Sequence, residues 1–170
     1  DVIYTGMAEH KSKFFVYGSD LYIKDGTHYL VYNGTTCSNV TGYIPTTTIG
    51  RSPIGGGSTY EDVNLLSDYR KNGFVADGTS TEYFLDAKNI DGDVTVWIND
   101  TETISFSVDN TTGKVRFTTA PSEPLTVGQD NVIIQFKKIE EGFKERILNC
   151  TLLEVFDNRA FFSGNDDYTH

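Results

Sequence analysis

The sequence has few residues able to form covalent cross-links or hold metal ions. Its 170 residues include only two cysteines, Cys37 and Cys150, too few for a disulfide framework or a structural zinc site. The two thiols could lie close together if the two ends of the chain meet in space. We favour small, buried free thiols, because free cysteine is among the most commonly buried residue types.

Basic residues are also scarce. The chain has 14 Lys and Arg against 24 Asp and Glu, a formal net charge of −10. Because binding to nucleic acid depends on clustered positive charge, this balance argues against a large phosphate-binding surface while leaving room for a small local basic patch. The densest basic run, residues 137–146, is interleaved with Glu140, Glu141 and Glu145, a pattern typical of a solvated face. We expect no nucleic-acid partner.

Long apolar runs and helical periodicity are missing as well. No run is long enough to span a membrane, so we expect no membrane partner. No stretch has apolar residues at helical spacing over three turns, and the nearest candidate, Leu65-Leu66, is at most a short turn. The sequence has no signal-peptide pattern and no initiator Met, and both ends look like cuts made inside a longer protein.

Aromatic and β-branched residues are abundant. The chain has 11 Phe and 10 Tyr, a composition that favours sheets over helices. Between Phe74 and Phe136, short alternations of apolar and polar residues are separated by turn signals such as Asp77-Gly78. We predict an all-β chain in which residues 71–138 form an antiparallel, immunoglobulin-like β-sandwich.

Strand patterns also occur on both sides of the predicted sandwich. Residues 1–37 contain three short apolar runs separated by turn signals, including Asp25-Gly26, which predicts a β-meander like one blade of a β-propeller. Such a meander is marginally stable alone, because it cannot cover both of its faces. Residues 139–170 contain a strand pattern from Ile147 to Phe156, then a turn and a further strand. We expect these C-terminal strands to pair with the N-terminal meander.

Residues 38–70 have the composition of a connector. The stretch from Tyr43 to Ser58 contains two prolines and a glycine triplet, so we predict an extended segment without a regular element. A glycine-rich loop can cradle phosphate, but that motif requires Lys and then Ser or Thr directly after the final glycine. Because Gly57 is followed instead by Ser58-Thr59, we predict no nucleotide cofactor.

Acidic residues are the main candidates for chemistry. Asn89, Asp91 and Asp93 resemble the start of a calcium loop, but the glycine and glutamate that such a loop needs are missing, so a solvated hairpin turn is favoured. Four other carboxylates could in principle supply the acid pair of a glycosidase. Two of the four, Asp77 and Asp109, are better explained as turn formers because glycine and asparagine, respectively, follow them. The four carboxylates belong to Asp77, Glu82, Asp86 and Asp109.

Histidine and tryptophan offer little further evidence of chemistry. His10, His28 and His170 are scattered, and no Cys or Ser is placed as a partner for them in the sequence. We therefore predict no catalytic residue, no cofactor site and no metal site. Trp97 alternates with Val96 and is expected on the more polar face of its strand. It is our candidate partner contact, although packing against neighbouring side chains is the competing interpretation.

Five turn-and-strand phrases of the chain are distinctive, at residues 29–34, 43–49, 62–66, 74–81 and 155–159. Together they resemble a family of large virion structural proteins found in phages and prophages of Gram-positive, clostridia-like bacteria. The resemblance extends over nearly the whole chain and specifies a structural lineage, not a chemistry. It implies a propeller-like body with a β-sandwich inserted in one blade.

The resemblance implies a non-catalytic structural role. We expect a component of a phage or prophage virion, in the neck or tail region, made in the bacterial cytoplasm and in contact with other virion proteins. The alternative is an adhesion module that binds a host-surface glycan. An exposed aromatic patch around Trp97 beside a concave acidic groove would favour adhesion, whereas a flat polar surface would favour the structural role.

Overall fold

The computed structural model describes residues 2–9, 11–157 and 159–166 of the chain, and almost all of its regular structure is β. The predicted all-β class is confirmed. The regular elements in chain order are β1 (Lys13–Tyr17), β2 (Asp20–Lys24), β3 (Tyr29–Tyr32), β4 (Cys37–Asn39), β5 (Thr46–Arg51), β6 (Ser58–Thr59), β7 (Tyr69–Phe74), β8 (Glu82–Phe84), β9 (Gly92–Ile98), β10 (Thr101–Thr103), β11 (Phe106–Asp109), β12 (Lys114–Phe117), β13 (Val132–Lys137), α1 (Phe143–Leu148), β14 (Leu152–Phe156) and β15 (Arg159–Ser163).

The described residues divide into two compact units. The first unit combines the described parts of Asp1–Gly42 and Glu141–His170, and the second unit is Tyr43–Glu140. The second unit contains a six-stranded sheet of order β10-β9-β13-β7-β5-β6 and a three-stranded sheet of order β11-β12-β8. Apolar side chains from both sheets form one core cluster, so the unit is a β-sandwich.

Strand alternation builds this core. In β13, Val132, Ile134 and Phe136 are buried while the intervening residues face outward, as a strand with one face on a core requires. The same rule holds in β12, where Val115 and Phe117 are buried. The buried cluster is Phe74, Ala76, Tyr83, Leu85, Ala87, Ile90, Val96, Val115, Phe117, Val132, Ile134 and Phe136.

The predicted connector at 38–70 is wrong, because this segment contains strands of both units. β4 belongs to the first unit, whereas β5 and β6 belong to the six-stranded sheet. The β-branched run of β5 suits a strand, and parallel pairing with β7 gives its backbone partners. The glycine triplet lies in the loop between β5 and β6, with φ of 77° at Gly56 and 84° at Gly57. The sandwich therefore begins before residue 71, and its larger sheet is mixed.

The first unit contains a four-stranded antiparallel meander of order β1-β2-β3-β4. Its first three strands were predicted, and β4 adds a fourth beyond the predicted end of the meander. Gly18 and Gly26 have φ of 61° and 87° in the two tight turns, a conformation that favours glycine. Aromatic rings cover one face of this sheet, where Phe15 stacks on Tyr22 at 5.0 Å between ring centroids.

The C-terminal segment differs from its prediction in two ways. β14 and β15 form a hairpin of their own and do not join the hydrogen-bonded ladder of the meander. They contact it through side chains, since the ring of Phe162 packs edge-on against Phe15 and Tyr29. The strand pattern predicted from Ile147 begins only at Leu152, because α1 occupies the preceding residues. Asn158, in the turn predicted between these strands, lies outside the described residues.

Candidate functional site

Trp97 lies on the outer face of the six-stranded sheet. Its neighbour Val96 is fully buried, so the alternation of β9 turns the indole outward, as predicted. The indole is half-buried, and the Lys71 ammonium lies 6.0 Å from its ring centroid. Glu102 and Ile133 occupy the cross-strand positions beside it. Trp97 is therefore a packed surface residue beneath a lysine, on a strand next to the edge of the sheet.

Asp77 and Asp109 each organise a turn, as the sequence predicted. The Asp77 carboxylate accepts hydrogen bonds from the backbone N–H groups of Thr79 and Ser80, and from the Ser80 hydroxyl at 2.6 Å. These bonds, led by that of the Ser80 hydroxyl, hold the pKa of Asp77 below its usual range. Asp109 accepts hydrogen bonds from the backbone N–H groups of Thr111 and Thr112. Its pKa is lowered in the same way, chiefly by the side chain of Thr112.

Glu82 and Asp86 also have local structural partners. Glu82 accepts hydrogen bonds from Lys114 at 3.2 Å and Arg116 at 2.7 Å, and the bond from Lys114 contributes most to lowering its pKa. Asp86 accepts a hydrogen bond from the hydroxyl of Thr47 at 2.6 Å. Each of the four candidate carboxylates thus stabilises a turn, a strand pair or a strand contact.

The calcium-like stretch connects β8 of the three-stranded sheet to β9 of the six-stranded sheet, so the predicted hairpin turn is wrong, and its carboxylates have separate partners. Asp91 accepts a hydrogen bond from the backbone N–H of Ile139 at 2.7 Å, whereas Asp93 accepts one from the hydroxyl of Tyr69 at 3.1 Å. Asn89 and Asp93 have positive φ angles of 50° and 46°, which both residue types tolerate in turns. Within residues 2–9, 11–157 and 159–166, no three or more His, Cys, Asp or Glu side chains converge as a metal site.

The buried carboxylate of Asp25 pairs with the partly exposed ring of His28, which the sequence did not reveal. The carboxylate of Asp25 is fully buried and accepts N–H groups from Ala8, Thr27 and His28, as well as the Nδ1 of His28 at 2.9 Å. Burial opposes ionisation, but these donors outweigh it and hold the pKa of Asp25 well below its usual range. The pair fixes the turn after β2. His10 and His170 lie outside the described residues.

Lys24 is the second buried charge of the first unit. Its ammonium donates to the backbone oxygens of Leu148 at 2.5 Å and Cys150 at 2.6 Å, at the end of α1. Burial lowers the pKa of Lys24, and the nearby charge of Lys13 lowers it further. The sequence gives no signal for its burial, because the run before it, Leu21-Tyr22-Ile23, is apolar throughout and shows no alternation.

Both cysteines are free thiols, as predicted. Cys150 is buried, and its thiol donates to the backbone oxygen of Arg146 at 3.1 Å. Cys37 is half-buried on β4.

Apolar side chains lie exposed on two strand faces of the first unit. On β1, Phe14 and Val16 are 71% and 64% exposed. On the β14–β15 hairpin, one face packs inward through Phe162, and the other exposes three large apolar side chains. We call these two faces the apolar strips, comprising Phe14 and Val16 on β1 and Leu152, Phe156 and Phe161 on the hairpin.

Comparison with known proteins finds no match. No family model, curated protein or solved structure matches the chain. In the described part of the chain, no helix is long and apolar enough to cross a membrane.

Proposed function

We propose that the chain is a non-catalytic structural module of a bacteriophage or prophage virion, in its neck or tail region, and that its first unit makes the assembly contacts. The apolar strips are the observation that carries this proposal. Exposed apolar patches on soluble proteins commonly mark interaction sites. The partners are other virion proteins, and the turn-and-strand phrases described above support that assignment.

The position of β1 adds to the case for assembly. It is an edge strand of the meander, so within the described strands its outer backbone groups have no ladder partner. An edge strand with exposed Phe14 and Val16 presents both backbone donors and apolar side chains to an added strand. A neighbouring β-meander of another virion component fits this edge best.

The carboxylates support a non-catalytic role. Glycosidase chemistry requires two carboxyl groups facing each other across a substrate. Asp77 and Asp109 are bound in separate turns, and Glu82 is held by two cations. Each of these groups has a structural explanation that requires no substrate.

Phage particles carrying the full-length protein test the proposal. Phe14→Ser and Phe156→Ser should each lower its amount in purified particles by roughly tenfold, because loss of a central apolar contact weakens an interface by that order or more. Quantitative mass spectrometry measures incorporation, and immunogold labelling locates the protein at neck or tail. Ile104→Ser is the matched control, since Ile104 is also exposed but lies in the second unit.

Two outcomes would contradict the proposal. Purified particles without the wild-type protein would exclude a virion component. Equal incorporation of all three variants would exclude the apolar strips as assembly contacts. Circular dichroism of each variant in isolation separates lost contacts from lost folding.

The adhesion alternative depends on Trp97. Its indole lies beneath Lys71, and Gln135 and Lys137 also belong to this outer face of the sheet. That mixed polar surface favours the structural role over glycan binding. In the same particles, Trp97→Ala should leave binding to host cells unchanged. Lost cell binding with normal incorporation would favour adhesion instead.

A further inference from the structure

A cavity of about 580 Å³ lies within the first unit, at the end of β2 and beside the residues that follow α1. Three of its lining residues are lysines, Lys11, Lys13 and Lys24. Pockets of 300 to 1,000 Å³ are typical of small-ligand sites. The concentration of lysine is unusual for this chain, whose net charge is −10.

The positive charges of the cavity are largely uncompensated. Among the described residues its lining includes one carboxylate, that of Asp25, and both oxygens of this group already accept two hydrogen bonds each. Among the described residues, Lys11 and Lys13 have no ion-pair partner. The described wall therefore has an excess of two cationic side chains over carboxylates, three lysines against one aspartate.

The three lysines differ in mobility and depth. Lys24 is fixed, because two backbone oxygens accept two of the three donors of its ammonium. Its third N–H remains for a ligand in the cavity that it lines. Lys13 is half-buried on β1 and Lys11 is exposed, so both can adjust to a bound anion. A fixed deep donor with adjustable outer donors suits a small anion with several oxygens.

The type of cation indicates the type of anion. Ammonium groups act as compact point charges with rotatable donors and commonly bind phosphate, whereas planar carboxylates are best matched by the fork of arginine. Arginine is absent from the described lining. Thr27 and Asn149 supply further polar groups around the same space, whereas the hydroxyl of Thr151 already donates to the backbone oxygen of Gly164.

We infer that this cavity binds a phosphate dianion, either inorganic phosphate or the phosphate of a small monoester. The site is formed within the first unit. Phosphate binding there would be a property separate from the assembly role proposed above. Either conclusion can fail without the other.

Calorimetric titration of the 170-residue chain at low ionic strength tests this inference. Inorganic phosphate should bind with 1:1 stoichiometry, and Lys13→Gln and Lys11→Gln should each weaken binding by roughly tenfold, because each removes one charge-assisted contact. Lys88→Gln is the control, since it changes the net charge equally but lies exposed in the second unit. In heteronuclear NMR, phosphate should shift the amide signals of Thr27 and Asn149.

Further probes identify the source of the phosphate. Tighter binding of glycerol 3-phosphate than of inorganic phosphate would support a monoester, and equal or weaker binding would support the free anion. Three results would overturn the inference: no binding of either probe at millimolar concentration, equal binding by the Lys11, Lys13 and Lys88 variants, or tighter binding of succinate than of both phosphates. Lysine-to-glutamine changes keep the aliphatic stem, and circular dichroism checks that each variant folds.

Discussion

Removal of one buried oxygen should stabilise the second unit. The side chain of Tyr83 is fully buried, with the rings of Phe74 and Phe117 packed edge-on against it at centroid distances of 5.4 and 5.0 Å. Its hydroxyl has no hydrogen-bond partner among the described residues. A buried polar group left unpaired costs about 1 to 3 kcal/mol. Tyr83→Phe removes that cost and keeps both ring contacts.

The expected gain is smaller than the full cost. The lost oxygen leaves a void on the order of 10 Å³, and residual cavities cost about 24 cal/mol per Å³, so the void offsets only about 0.2 kcal/mol. We expect Tyr83→Phe to raise the free energy of unfolding by about 1 kcal/mol or more. Trp97 is the only tryptophan and lies in the same unit, so its fluorescence during guanidinium unfolding measures this change.

Tyr69→Phe is the matched control. It removes the same atom from the same unit, but the Tyr69 hydroxyl donates to Asp93 at the surface. We expect its loss to change the free energy of unfolding little, because substitutions at the surface usually have small effects. If Tyr83→Phe lowered stability by about 1 kcal/mol, the Tyr83 hydroxyl would have to be hydrogen-bonded in solution, and the reasoning would fail.

Alkaline titration gives an independent check on Tyr83. Burial, assisted by the negative charge of Asp77, raises the pKa of its phenol to about 12 from an ordinary value of 10. Between pH 10 and 12 the unfolded chain releases this proton while the folded chain retains it. The stability of the unit should therefore fall across this range, and the fall should be shallower in Tyr83→Phe.

Three further predictions concern backbone space and buried charge. Gly113→Ala should destabilise the second unit by about 2 kcal/mol or more in the same fluorescence assay, because φ is 68° and the added Cβ would collide with the backbone oxygen of Ala87; wild-type stability would contradict this. Because hydrogen bonds lower the pKa of Asp25, its carboxylate should contribute fully to the stability of the first unit above the ordinary pKa near 4. That contribution should decline as the pH falls below this value, and thermal melts of Asp25→Asn should lack the decline. Lys24→Met should lower the stability of the first unit by about 3 kcal/mol, since two buried backbone oxygens lose their donor, and far-UV circular dichroism should detect an earlier transition; an unchanged melt would show that this ammonium is dispensable.

Local sequence patterns were sufficient to predict most strands. In β13, Val132, Ile134 and Phe136 alternate with outward residues, and this period of two is a property of the strand itself. Asp25-Gly26 and Asp77-Gly78 marked real turns, because glycine's freedom at positive φ depends on a single residue. The all-β class and the predicted position of Trp97 on the outer face of β9 follow from such local rules.

Non-local contacts decided the remaining features. β5 is a strand because β7, more than 20 residues away, supplies its parallel partner, and the prolines and glycines around it gave no sign of that pairing. α1 has only six residues, too few to show a helical period.

The buried charges of the first unit show most clearly that local sequence patterns do not specify distant partners. Lys24 is bound by backbone oxygens 124 and 126 residues away, and Asp25 accepts an N–H from Ala8, 17 residues earlier. The cavity with its three lysines forms only when these distant segments meet. Sequence therefore determined the strands, the turns and the overall acidic charge. The tertiary structure alone decided which charges are buried together, because burial depends on partners that no local pattern specifies.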